Sequence, residues 1–106
     1  MFQPVDKPKG LPATIDEVVA LILEDLPLRD RTLMSRMEAS DLWQINNAMG
    51  NYILQEFRIW SGNQNLLRAC IEASQADEGG TFGPSMVIIR HIWERLKRQH
   101  ALRLVR

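Results

Sequence analysis

The residues able to do chemistry in this sequence are few, and a pair of them lies on its last predicted helix. His91 and Glu94 are three positions apart, a spacing that places two metal ligands on one face of a helix. A metal site would take further ligands from Asp41, Glu56 or Glu72, but the sequence holds only two histidines and one cysteine. A solvated helix face is the simpler interpretation, and a metal-dependent enzyme is the weakest of three functional hypotheses.

Neither the cysteine nor the glycine-rich segment shows a catalytic pattern. Cys70 stands among Leu66, Leu67 and Ile71, so we expect a buried, inert thiol and not a nucleophile. The glycine-rich run at 79–83 lacks the following lysine and the preceding strand of a phosphate-binding loop. The sequence therefore predicts a protein that is not an enzyme and that uses no cofactor and no metal.

Polar and aromatic residues of the third predicted helix are better candidates for a binding surface. Trp43 lies one position from the apolar stripe and is either the edge of the core or an exposed anchor, whereas Trp60 and Trp93 are expected in the core. Asn46 and Asn47 lie mid-helix, where Asn has no propensity reason to be. Asn46 either bonds a neighbouring helix or loop, or forms a polar element in a groove or dimer seam.

Electric charge is divided unevenly along the chain. Thirteen basic residues balance thirteen acidic ones, yet residues 90–106 carry a net charge of +5 and residues 1–89 carry −5. A basic helix can bind phosphates, an anionic surface or an acidic partner, or it can simply complement the negative end of the helix dipole. The candidate interaction surface is Trp43, Asn46, Asn47, Arg95 and Arg98.

The elements that position these residues are predicted to be helices behind a proline-rich arm. Residues 1–13 hold three prolines and a glycine, which predicts an extended arm. Thr14 and Glu17 fit a capping box at the start of the first helix. The apolar periodicity predicts helices over residues 15–26, 28–37, 41–60, 64–74 and 86–104. The clearest loop is 75–84, which holds three glycines and a proline.

Individual residues predict where these helices begin and end. Ser40, Asn63 and Ser85 are the expected N-caps of the last three helices. Gly62 is the expected left-handed residue after the third helix. Gly50, inside that helix, should cost about 1 kcal/mol relative to Ala, so we expect another helix to approach closely there. Inward-facing residues expected on the last two helices include Ile71 and His100.

Length and composition favour one soluble domain. The chain has 106 residues, of which 45% are hydrophobic and 25% charged, values typical of a globular protein. We expect an all-α, compact single-domain bundle of four to five helices, with the arm at 1–13 and the helical domain at 14–106. Because no segment reaches about 20 apolar residues, no membrane span is predicted. A cytoplasmic location is the default interpretation.

Three stretches carry a family resemblance. They are the start at residues 12–19, the middle from Phe57 through Trp60 to Asn63, and the ending at residues 85–96. Their order and spacing resemble a family of small bacterial proteins classified as a domain of unknown function. The resemblance covers roughly residues 12–96 and implies a compact, stand-alone cytosolic helical protein with no known activity.

The sequence departs from that family's pattern at three positions. Histidine is common at the position of Asn46, and Arg-Asn is common at the positions of Leu54 and Gln55. A polar function shared by the family would therefore be lost or altered in this chain. This departure lowers further the case for catalysis.

The leading functional hypothesis is a protein–protein interaction or regulatory module, with a homodimer as one form of it. It is motivated by three tryptophans, five methionines and ten arginines against three lysines, because aromatic residues, Met and Arg are enriched in interfaces. The alternative is nucleic-acid binding through the basic helix at 90–106. The protein partner is not identified by the sequence.

Overall fold

The last of the five α-helices in the described part of the chain is the one against which the others pack. The computed structural model describes residues 11–78 and 82–105, with side chains described for 11–76 and 82–99. The helices are α1 (Ile15–Asp25), α2 (Leu28–Ser35), α3 (Leu42–Glu56), α4 (Gln64–Glu78) and α5 (Pro84–Val105), and the described residues form no strand. Helix α5 packs against all four other α-helices. The prediction of an all-α single-domain bundle is confirmed.

The start of α1 is the capping box that the sequence predicts. The backbone N–H of Glu17 donates to the Thr14 hydroxyl over 3.1 Å. The Glu17 carboxylate accepts in return from the N–H groups of Ala13 and Thr14, at 2.9 and 3.2 Å. These two backbone hydrogen bonds lower the pKa of Glu17 below its ordinary value, the bond from Ala13 contributing most. The predicted arm at 1–13 lies mostly outside the described residues.

Helix α2 is shorter than its apolar pattern predicts. It ends at Ser35 instead of Met37, and Leu33 is exposed while Met34 is buried. The chain leaves the α-helix through two bonds that span three residues, from the N–H of Arg36 to the carbonyl of Leu33 at 3.2 Å and from the N–H of Met37 to the carbonyl of Met34 at 3.1 Å. The carbonyl of Met37 accepts from the indole N–H of Trp93 at 2.9 Å, so this carbonyl is used for a contact between segments.

The entry to α3 also differs from the prediction. A 3₁₀ turn at Ala39–Asp41 precedes the helix, so Ser40 lies inside this turn and is not the N-cap. The turn is closed by Asp41, whose side chain accepts from the N–H of Glu38 at 3.1 Å. The expected N-cap at Ser40 is therefore wrong.

Helix α3 ends at Glu56, four residues before the predicted end. Two bonds close it, from the N–H of Arg58 to the carbonyl of Gln55 at 3.2 Å and from the N–H of Ile59 to the carbonyl of Leu54 at 3.0 Å. This is a Schellman motif, with Arg58 in the left-handed conformation at φ 53°. The prediction that Gly62 ends the helix is wrong, since the chain has already left it.

The early end of α3 places Trp60 outside the helix. Its side chain is 65% exposed, so the expectation that Trp60 packs in the core is wrong. The neighbouring Ile59 is buried instead, because the turn at Arg58 breaks the helical spacing that linked Phe57 to Trp60. Trp93 is partly buried and packs against the core, as expected.

Helix α4 starts as predicted and ends later. The side-chain oxygen of Asn63 accepts from the N–H of Leu66 at 3.4 Å, which confirms Asn63 as the cap. The helix continues to Glu78, so the predicted loop beginning at residue 75 is wrong in its first four positions. Ile71 is 46% exposed, contrary to the expectation that it faces inward.

Helix α5 begins at Pro84 and is the longest. The carbonyl of Gly83 accepts from the N–H of Val87 at 3.1 Å, and proline is favoured at the first helical position because it has no N–H to satisfy. Ser85 lies inside the helix, so the prediction that it is the N-cap is wrong. The side chain of His100 lies outside the described residues.

Of the described helices, none is long and apolar enough to cross a membrane.

One hydrophobic core joins all these helices. The buried residues of the core are Val18, Val19, Ile22, Met34, Leu42, Ile53, Phe57, Ile59, Leu66, Cys70, Met86, Ile88, Ile89, Ile92 and Leu96.

Candidate interaction surface

Trp43 lies on the surface of α3 and is held there by another aromatic ring. Its side chain is 49% exposed. The Phe82 ring contacts it edge-on, with 5.6 Å between ring centroids and an interplanar angle of 89°. This T-shaped geometry is one that aromatic pairs prefer, worth about 0.5–1.5 kcal/mol beyond area burial. Of the two alternatives for Trp43, the geometry favours an exposed anchor with a fixed orientation.

Arg90 extends this aromatic pair along α5. Its guanidinium carbon lies 6.0 Å from the centroid of the Phe82 ring, and its Nε lies 3.3 Å from a Glu94 carboxylate oxygen. Asn47 is exposed one turn after Trp43. We call Trp43, Asn47, Phe82 and Arg90 the Trp43 surface.

Sequence reasoning missed Phe82 and Arg90 as members of this surface. A signal for Phe82 was present, because it is the one large apolar residue within the glycine-rich run at 79–83. Such a residue needs a packing partner, and Trp43 is that partner here. Arg90 carried no distinctive signal, since it was one of six basic residues in the stretch 90–106.

Asn46 has a structural partner on α5. The Ser85 hydroxyl donates to its side-chain oxygen at 2.7 Å, and both groups lie over Gly50. A Cβ built at Gly50 would lie 2.6 Å from that Asn46 oxygen and 3.3 Å from the Ser85 hydroxyl oxygen. The expected close approach at Gly50 is confirmed. The bond to a neighbouring helix is thus the alternative that the geometry favours for Asn46.

The two arginines proposed from the sequence lie apart from the Trp43 surface. Arg95 lies 3.5 Å from the Asp16 carboxylate, at the start of α1. It follows Arg90 by five positions, which is about 140° around the helix. Arg98 is exposed, and Lys97 lies over the Trp93 ring at 5.3 Å from its centroid. The structure therefore does not bring Trp43 and Arg95 into one site.

The remaining chemical candidates have structural contacts. Nδ1 of His91 lies 2.9 Å from the Val87 carbonyl, so the proton of this contact is on the nitrogen, and Glu94 pairs with Arg90. Cys70 is fully buried, and burial raises the pKa of its thiol to about 11. Among the side chains that the structure describes, no three or more His, Cys, Asp or Glu residues cluster to hold a metal ion.

Comparison of the chain with protein-family models, with curated proteins and with solved structures found no match. The resemblance to a bacterial family, which rests on the stretches at 12–19, 57–63 and 85–96, therefore stays a prediction.

Proposed function

We propose that this protein is a binding module that acts through protein–protein contact at the Trp43 surface. The observation that carries the proposal is the half-exposed indole of Trp43, fixed edge-on against Phe82. A large aromatic side chain that is already ordered loses little entropy on binding, and Trp and Arg are enriched among the residues that dominate interface energies.

The chemistry of the surface indicates what it would contact. The indole offers apolar area and an N–H donor, Arg90 offers a planar cation, and Asn47 offers an amide that both donates and accepts. Such a set suits a partner segment with an apolar side chain flanked by carboxylate or carbonyl oxygens. A regulatory role would follow from occupancy of this surface, without a reaction on it.

The burial of Cys70 and the contacts of His91 and Glu94 support binding over catalysis. The raised pKa of Cys70 keeps its thiol protonated at neutral pH, and a thiol is a weak nucleophile compared with a thiolate. His91 is engaged with a backbone carbonyl and Glu94 with an arginine. We propose on this basis that the protein is not an enzyme. A cytoplasmic location belongs to the same proposal.

Affinity capture from cells of the source organism tests the proposal. Wild-type protein, Trp43→Ala and Trp60→Ala are immobilised in equal amounts, and the captured proteins are quantified by mass spectrometry. Trp60 is the matched control because its indole is even more exposed than that of Trp43. We expect a protein that wild type and Trp60→Ala both enrich, and that Trp43→Ala enriches at least about tenfold less, as the loss of about 1.4 kcal/mol requires.

Two outcomes would contradict the proposal. One is the absence of any protein that wild type enriches. The other is equal enrichment by Trp43→Ala and wild type, which would mean that the indole takes no part in the contact.

A second candidate function, nucleic-acid binding, is favoured by the exposure of Lys97 and Arg98 on α5. It predicts salt-sensitive retention of labelled DNA or RNA. Because Arg95 is close to Asp16, we expect Arg98→Ala to weaken retention more than Arg95→Ala. Retention that is absent, or that is independent of salt, would remove this candidate.

A further inference from the structure

A groove with an acidic rim lies between α1 and α3. Its cavity volume is about 330 Å³. Phe57 is a buried part of its wall, while Leu21 and Tyr52 line it from positions where they are 41% and 52% exposed. All three charged residues that line it are acidic and exposed, namely Glu24, Asp25 and Glu56. The groove therefore suits an apolar segment that carries positive charge.

The end of α5 has the complementary composition. Leu96 is buried, Lys97 and Arg98 are exposed, and the helix continues to Val105. We call residues 97–105 the basic helix end. In sequence it holds three basic residues, no acidic residue and four apolar residues.

The groove extends along α3 from Met49 to Phe57, the residue that follows the helix. This is eight residue steps, or about 12 Å, which accepts about two turns of helix from the basic helix end. Two turns of helix laid in a groove between two helices is a common form of recognition, in which apolar side chains fill the floor and charges pair at the rim.

The basic helix end cannot reach the groove of its own chain. Ser85, near the start of α5, donates a hydrogen bond to Asn46. Asn46 precedes the groove residue Met49 by three positions. From Ser85 the helix needs twenty residue steps, about 30 Å, to reach Val105. Since Arg95 already lies beside the far end of α1 at Asp16, α5 leads away from the groove.

We propose that the groove between α1 and α3 binds the basic helix end of a second copy of this chain. The exchange is reciprocal, so that the two copies form a two-fold symmetric dimer with the same contact made twice. The acidic residues Glu24, Asp25 and Glu56 of one copy then face Lys97 and Arg98 of the other. In this dimer, the basic charge of residues 90–106 in one copy is paired with acidic charge from residues 1–89 of the other copy.

The dimer uses a face of α3 different from that of the Trp43 surface. Tyr52 follows Trp43 by nine positions, which is about 180° around the helix. A second protein can therefore bind at Trp43 while the groove is occupied. Failure of the dimer and failure of the proposed function are consequently separate results.

Sedimentation and light scattering with charge-reversed variants test the dimer. The groove variant is Glu24→Lys with Glu56→Lys, and the helix variant is Lys97→Glu with Arg98→Glu. The matched controls are Glu38→Lys with Glu72→Lys, and Arg36→Glu with Arg68→Glu, since these residues are exposed and lie outside both features. Masses are measured from about 1 μM to about 1 mM, the range in which small interfaces associate.

We expect wild type and both controls to reach the mass of two chains, and salt to weaken this association because rim charges are screened. The groove variant and the helix variant should each remain at the mass of one chain. Mixed in equal amounts they should dimerise again, because one contact is then native and the other pairs reversed charges. Circular dichroism of each variant checks that it is folded.

Two results would overturn the dimer. Wild type that stays at the mass of one chain up to about 1 mM is the first. The second is a wild-type dimer that neither variant weakens, which would place the contact elsewhere. A variant that stays monomeric because it is misfolded is recognised in the mixture, because both copies must be folded to associate. The mixture of the two variants is therefore the deciding measurement.

Discussion

A single side chain, Asn63, joins three segments of the chain. Its amide nitrogen donates to the carbonyls of Pro12 and Phe57, each at 2.9 Å, and its oxygen accepts from the N–H of Leu66. The side chain is buried. It therefore fixes the segment before α1 to the end of α3 and the start of α4, beyond its role as an N-cap.

Replacing this amide by a carboxylate separates the two roles. Asp is as good an N-cap as Asn, but an ionised carboxylate has no donor, so Asn63→Asp leaves two carbonyls unpaired beside a buried charge. We expect the free energy of unfolding to fall by about 2 kcal/mol or more. Urea unfolding measures it.

The control for this prediction is Gln64→Glu. It makes the same change from amide to carboxylate one position later, at the exposed first residue of α4, where negative charge is favourable. We expect little change or a small gain in stability. An equal, small effect of both substitutions would show that Asn63 acts only as a cap.

A second close contact at the residue scale lies at Gly50, where the hydrogen bond between Ser85 and Asn46 leaves no room for a Cβ. An Ala at position 50 gains about 1 kcal/mol in helix propensity, but its Cβ would displace the Asn46 oxygen that lies 2.6 Å away. We expect Gly50→Ala to be about 1 kcal/mol more favourable in an Asn46→Ala background than in wild type. A double-mutant cycle in urea measures this coupling, and a coupling of zero would mean that the close approach has no energetic effect.

At the scale of the helices, the end of α3 departs most from its sequence pattern. Ile53, Phe57 and Trp60 continue the apolar spacing, so periodicity alone extends the helix. The chain stops it through the left-handed conformation of Arg58, which is normally taken by glycine. An arginine in the sequence does not indicate a left-handed conformation. Gly62 does indicate one, and it placed the predicted end of the helix too late. The start of α1 was predictable because its capping box is formed by Thr14 and Glu17, which are only three positions apart.

The left-handed Arg58 makes a testable prediction. A residue with a Cβ loses about 1–2 kcal/mol in this conformation, whereas glycine loses about 0.5–1 kcal/mol in backbone entropy. We expect Arg58→Gly to raise the free energy of unfolding by up to about 1 kcal/mol. Thermal unfolding measures the change.

Arg68→Gly is the matched control for Arg58→Gly. Arg68 is exposed in the middle of α4, and there glycine should cost about 1 kcal/mol. The two substitutions should therefore shift the melting temperature in opposite directions. Destabilisation by both would show that Arg58 has helical or extended backbone in solution.

At the scale of the whole molecule, α5 holds the bundle together. It contacts every other α-helix, and Ile88, Ile89 and Ile92 on it are fully buried. The long apolar stripe of this helix predicted that one of its faces packs in the core. The long-range bonds of Met37, Asn46 and Asn63 were not predictable as pairs, because their partners are 56, 39 and 51 positions away.

This central place predicts one cooperative unfolding transition. Ile89→Ala should lower the free energy of unfolding by about 2–5 kcal/mol, with coincident changes in circular dichroism and tryptophan fluorescence. Ile71→Ala, on the exposed side of α4, makes the same truncation and should cost about 1 kcal/mol or less. Two separate transitions would contradict a single core.

The molecule as a whole offers two faces for proteins, the Trp43 surface and the groove between α1 and α3. The central claim is that Trp43 contacts a partner protein in the cell. Placing a photo-crosslinking amino acid at position 47, exposed one turn after Trp43, and in a second variant at position 60, tests it most directly, because both variants keep the Trp43 indole. We predict a discrete adduct with another protein from position 47 and none from position 60. The absence of an adduct at 47, or the same adducts from both positions, would contradict the claim.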